Sequence, residues 1–145
     1  MKLIQLVKFS LLLTFVVIML GAYTRLSDAG LGCPDWPGCY GHFGVPHQEE
    51  DVIRANLNFP ERAVEHEKAW LEMIHRYFAG TLSLVIFAMT VISIRSERVN
   101  PTIPMLLSVL VVGQALLGMW TVTLKLMPVI VMLHLLGGFT LLVLQ

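Results

Sequence analysis

Residues 71–94 read LEMIHRYFAGTLSLVIFAMTVISI. A run of this length, coiled as a helix, spans the roughly 30 Å hydrocarbon core of a bilayer. Its charges are confined to the first turns, at Glu72 and Arg76, with His75 between them. Three further apolar runs, at about 3–23, 103–124 and 128–145, extend the same reading. Together they predict an all-α membrane protein, a four-helix transmembrane bundle formed by residues 1–145 as a single unit. Residues 24–70 join the first two spans and are expected to form an extracytoplasmic loop subdomain.

Composition agrees with this reading. The chain of 145 residues is 56% hydrophobic and 14% charged, with a mean hydropathy of +0.73. Soluble domains carry about 25% charged residues. The net charge is zero, and charged residues are sparse with no aromatic-basic patch, so a nucleic-acid partner is not expected. Lys2 and Lys8 before an apolar run give the first span a likeness to a signal peptide. Gly21-Ala22-Tyr23 makes a mediocre cleavage site and three spans follow, so a retained helix is the expectation.

Orientation follows from basic residues in the short flanks. Lys2 and Lys8 precede the first span, and Arg95 and Arg98 lie between the second and third. These ends are read as cytoplasmic, which puts the N-terminus inside and residues 24–70 and Lys125 outside. The expected location is a cell inner membrane, with the loop in the periplasm.

Both cysteines lie in that loop, in Cys33-Pro34-Asp35-Trp36-Pro37-Gly38-Cys39. An oxidising compartment favours a disulfide, and the Pro/Gly-rich bend brings the two ends together. So small a loop would gain about 2 kcal/mol of stabilisation. A redox-active pair, or a zinc site with His42 or His47, are the alternatives. The spacing is not the Cys-x-x-Cys-His of covalent heme attachment. Beyond Pro46, residues 47–54 and 60–70 read as one or two amphipathic helices at the outer interface, with Pro60 at a helix start and Trp70 as an anchor. His42, His47 and His66 are read as ordinary loop residues.

Inside the membrane, His75 lies roughly 6 Å below the start of its span and His134 roughly 9 Å below the start of the fourth. Both spans enter from the outer side, so the imidazoles share a level. A pair of neutral imidazoles on facing helices builds a six-coordinate b-type heme site. Glu72, three residues before His75, shares its face; it would orient the imidazole or move protons at the heme edge. Arg25 and Arg76 lie near the outer surface, where they can pair with heme propionates. Gly113, Gly118, Gly137 and Gly138 leave room for close helix approach or for a flat macrocycle. A plainer reading has the histidines bridging helices, Glu72 as an interfacial carboxylate and Arg76 snorkelling.

Gly21-Ala22-Tyr23-Thr24-Arg25-Leu26-Ser27-Asp28-Ala29-Gly30-Leu31 resembles the segment closing the first helix of heme A synthases. The paired cysteines, Glu72-Met73-Ile74-His75-Arg76, and Leu117-Gly118-Met119-Trp120-Thr121-Val122 followed by Pro128 and His134 resemble that family in the same order. The resemblance implies oxidation of a ring methyl of heme O to a formyl group, with oxygen from water, giving heme A for cytochrome oxidase. It implies His75 and His134 as ligands of the heme iron, Glu72 as an acid/base or orienting group, and Cys33–Cys39 as a disulfide. Members of the family commonly have eight helices in two similar halves, and this chain resembles the first. The second half, or a partner subunit, is expected to hold a cofactor heme b. Expected partners are heme O, the lipid bilayer, heme O synthase, and either a C-terminal half or a second copy of the chain. A span that stops at Gln145 without a basic flank reads as a truncated chain, with a homodimer as the alternative. Two rival functions are a non-catalytic heme-binding or electron-transfer subunit and a structural assembly factor.

Overall fold

The computed structural model describes residues 3–96 and 99–145, so Lys2 and Arg98, used above for orientation, lie outside the described residues. The described chain is helical: α1 (Leu3–Leu26), α2 (Glu49–Asn58), α3 (His66–Ile94), α4 (Thr102–Thr123) and α5 (Pro128–Val143). α1, α3 and α4 are long and apolar enough to cross a membrane. α5 is apolar but has 16 residues, fewer than expected from the run at 128–145. Large apolar side chains such as Leu12, Leu84, Val109 and Val143 point outward from these helices. Helices that are apolar all round belong in lipid, not water, and this is a membrane protein.

The four apolar helices pack side by side in the cyclic order α1, α3, α4, α5. Neighbours touch, while the diagonal pairs α1/α4 and α3/α5 make no close backbone contact among the described residues. Space is therefore left along the axis. At the far end from the loop, that space is closed by Leu13 of α1, Leu82 and Ile86 of α3, Leu107 and Val111 of α4, and Leu141 of α5. Polar ties add to this packing. Thr90 Oγ1 of α3 donates to the Pro104 carbonyl at 2.7 Å and lies 2.8 Å from Ser108 Oγ. Gln145 Nε2 reaches Thr14 Oγ1 at 2.8 Å. Without a hydrophobic drive between helices in lipid, such contacts and close packing hold a bundle together.

At the other end, residues 27–65 fold over the bundle around Cys33, Cys39, Tyr40, Val45, Ala55, Ala69 and Met73. The loop meets α3 very closely. A β-carbon on Gly32 would lie 2.5 Å from the Lys68 carbonyl, so only glycine fits there. The structure differs from the sequence reading at Pro60. No helix starts there; α3 starts at His66 and runs unbroken into the span. Residues 59–65 form a turn instead, closed locally by Arg62 N to the Phe59 carbonyl and held from outside by Val64 N to Asn56 Oδ1 and the Tyr40 hydroxyl to the Ala63 carbonyl. These external partners outweigh the local preference of proline for a helix start.

Candidate functional site

Between the loop core and the far core lies a cavity of about 520 Å³ lined by α1, α3, α4 and α5. That is within the usual range for a small-molecule site. His75 and His134 both line it. They come from α3 and α5, the diagonal pair, so they face the cavity from opposite walls.

Each imidazole has a glycine seat on a neighbouring helix. A β-carbon on Gly21 of α1 would come within 2.9 Å of His75 Cε1, and one on Gly118 of α4 within 3.4 Å of His134 Cε1. The Nδ1 atoms of both rings are buried without a hydrogen-bond partner among the described residues. Buried polar atoms in native proteins are normally paired. Two histidines that line one cavity, each with an unpaired buried nitrogen, therefore fit a group that is itself a ligand acceptor, and iron held between two histidines is such a group.

Glu72 is 5% exposed, the only carboxylate lining the cavity among the described residues. Its oxygens turn toward the loop and Arg76, not toward His75. Oε2 accepts from the Cys33 backbone N–H at 3.0 Å, and Oε1 pairs with Arg76 Nη2 at 2.5 Å. The orienting hydrogen bond to His75 considered from the sequence is thus not formed here.

Arg76 is drawn the same way. Its Nη1 donates to the carbonyls of Asp35 at 3.0 Å, Pro37 at 3.2 Å and Gly38. A guanidinium has five N–H donors, so Arg76, which also lines the cavity, keeps donors beyond those spent on the loop. Arg25 lines the same end of the cavity, exposed and with no ion pair among the described residues.

Cys33 and Cys39 are bonded to each other, with both sulfurs buried. The loop they close is braced by Asp35, whose carboxylate accepts from Tyr40 N at 2.6 Å and Gly41 N at 2.8 Å. Burial, the largest influence on it, pushes the Tyr40 phenol above its ordinary value, with Arg62 pulling the other way. Trp36, Pro37 and Phe43 of this loop reach the cavity wall, and the Tyr77 hydroxyl donates to the Phe43 carbonyl. His47 lies edge-on to His66 and Trp70. Among the described residues no group of three or more His, Cys, Asp or Glu side chains is placed to hold a metal ion.

Comparison with known proteins places the chain in a family. The model of the COX15-CtaA family, described as cytochrome oxidase assembly protein, matches residues 5–145. The chain belongs to that family. A heme A synthase of Shewanella oneidensis is 52% identical over 141 residues, which is 97% of this chain and 43% of that protein. The chain thus spans less than half the length of the curated relative it matches. No solved structure matches it.

Within this cytochrome oxidase assembly family member, the structure also adds residues to the site that the sequence reading passed over. Gly21 stood out only as part of a motif, and its contact with His75 depends on how α1 and α3 meet. Gln114, a lone amide in the apolar run of α4, lines the cavity against Gly137. An isolated polar residue in a span was the available signal.

Proposed function

We propose that this chain is the substrate-heme half of a heme A synthase, a membrane oxidoreductase that converts heme O to heme A. The observation that carries this reading is the pair of cavity-facing imidazoles on diagonal helices, each with an unpaired Nδ1. His75 and His134 would hold the iron of heme O. Arg25, and the free donors of Arg76, would meet the propionates at the loop end. α1, α3, α4 and α5 would all cross the inner membrane, with the N-terminus cytoplasmic and the Cys33–Cys39 loop periplasmic, forming a subdomain over the cavity mouth. The 52% identity to a heme A synthase supports the assignment.

Turning a ring methyl into a formyl group with oxygen from water releases four protons and four electrons. A heme b in a further segment, a partner subunit or a second copy would carry the electrons. Protons need an acceptor at the cavity, and Glu72, the carboxylate that lines it among the described residues, would take that role. Heme O synthase, as the source of the substrate, is the partner enzyme this reading adds.

The test is spectroscopic. His75→Met and His134→Met should each change the visible spectrum or heme content of the purified protein. Unchanged spectra in both variants would remove the heme assignment.

One observation favours a second reading. Both Glu72 oxygens are already engaged, by Cys33 N and Arg76. On that basis Glu72 would be a tether for the loop, and the chain a heme-binding or electron-transfer subunit. Glu72→Gln separates the two. In the enzyme, heme binding persists while heme A formation falls about 10²-fold or more, and heme O or a hydroxylated intermediate accumulates. Undiminished heme A in extracts of the variant would leave Glu72 as a tether only.

A further inference from the structure

Gln114 has no role in the account above, yet its placement is unusual. It lies on α4 four residues before Gly118, the seat of His134, and so about one turn further from the loop. Gly137 lies three residues beyond His134 on α5, at the same level. A β-carbon on Gly137 would sit 1.9 Å from Gln114 Nε2, so the amide occupies space that any other residue would fill. The side chain lines the cavity and finds no hydrogen-bond partner among the described residues. An amide without a partner in an apolar cavity is costly, and polar groups inside spans mark ligand paths.

The polarity of the site says which part of a ligand meets this amide. Arg25 and Arg76 stand at the loop end, where propionates would be held. The opposite edge of a heme between His75 and His134 then points toward Gln114. On heme O that edge carries a hydroxyl-bearing alkyl chain where heme b has a vinyl group. Beside Gln114, Val111 and Ala115 line both the cavity and a second apolar groove of about 190 Å³, which runs between α3 and α4 past Phe87, Val112 and Leu116 and is bounded toward the loop by Trp36.

We propose that Gln114 is the specificity-determining residue of the cavity: its amide hydrogen-bonds the hydroxyl of the substrate's alkyl chain, and the apolar remainder of that chain leaves along the α3–α4 groove. The assignment rests on the heme A synthase reading and deepens it. A site built to pair with a hydroxyl discriminates against the analogue that lacks one.

The experiment titrates the purified protein and its Gln114→Met variant with heme O and with heme b, following the Soret band. Methionine keeps the length and packing of the side chain. The expected result is equal affinity for heme b and a preference for heme O about tenfold smaller in the variant, the scale of one hydrogen bond. An unchanged preference would overturn the role of Gln114 while leaving the heme site standing. No histidine-dependent spectrum with either heme in the unaltered protein would overturn both. Should Gln114→Met lose heme b as well, Gly137→Ala repeats the test by displacing the amide without removing it. Retained preference there counts against the proposal, and a reduced one with normal heme b affinity supports it.

Discussion

Gly21 shows how much of the site is set by single side chains that carry no chemistry. Its missing β-carbon is where the His75 ring lies, 2.9 Å from Cε1. Alanine there forces the imidazole to move, and valine forces it further, since its two γ-carbons are fixed close to the backbone. The movement draws His75 away from the position from which it faces His134. Gly21→Val is therefore expected to leave helix content unchanged but to lower heme content or shift the spectrum from a six-coordinate form. Gly118→Ala, with its nearest approach at 3.4 Å, should do so more weakly. Equal and normal spectra in both variants would show that the seats do not position the rings. Arg76 makes the complementary point: its donors tie Glu72 and three loop carbonyls to one guanidinium. Removing one partner of such a buried pair costs about 3–5 kcal/mol. Glu72→Ala should thus loosen the loop, which is why the isosteric glutamine is the better probe of chemistry.

At the scale of elements, α3 and the cysteine loop act as one piece. Gly32 lies against the Lys68 backbone, Cys33 N is held by Glu72, and Arg76 gathers the carbonyls of the bend. Protein extracted from the membrane should resist alkylation at Cys33 and Cys39 until a reductant is added; labelling of both thiols without it would contradict a bonded resting state. Much of this element pattern was legible in the sequence. The span at 71–94 falls inside α3, and 103–124 is within a residue of α4 at each end, because long apolar runs leave a helix no rival in lipid. The amphipathic run after Pro46 is α2. The start of α3 was not legible, since Pro60 carries a local helix signal. The bonds that override it come from Asn56 and Tyr40, side chains whose position depends on the folded loop. The histidine pair could be picked out because ionisable groups are rare in spans. The glycine seats and the direction of Glu72 could not, since both depend on which helices become neighbours.

For the whole molecule, the decisive feature is that the space between the diagonal helices is filled by side chains at one end and left open at the other. The far core of Leu13, Leu82, Ile86, Leu107, Val111 and Leu141 holds the bundle together, leaving the cavity near the loop free to bind rather than to stabilise. Gly80 tests that division. It lines the cavity, and a β-carbon there would meet nothing within 4 Å. Gly80→Leu replaces a poor helix former by a good one, a gain of up to about 1 kcal/mol, and puts four carbons into space a ligand would need. The heme-free variant should melt at the same temperature as the parent or higher, while heme loading falls sharply. Gly113→Leu is the control, because Gly113 also has open space around it but lies outside the cavity lining, so loading should hold. A cavity that was only a packing gap would differ in the second readout: Gly80→Leu would leave heme content untouched, and the binding site would have to lie elsewhere.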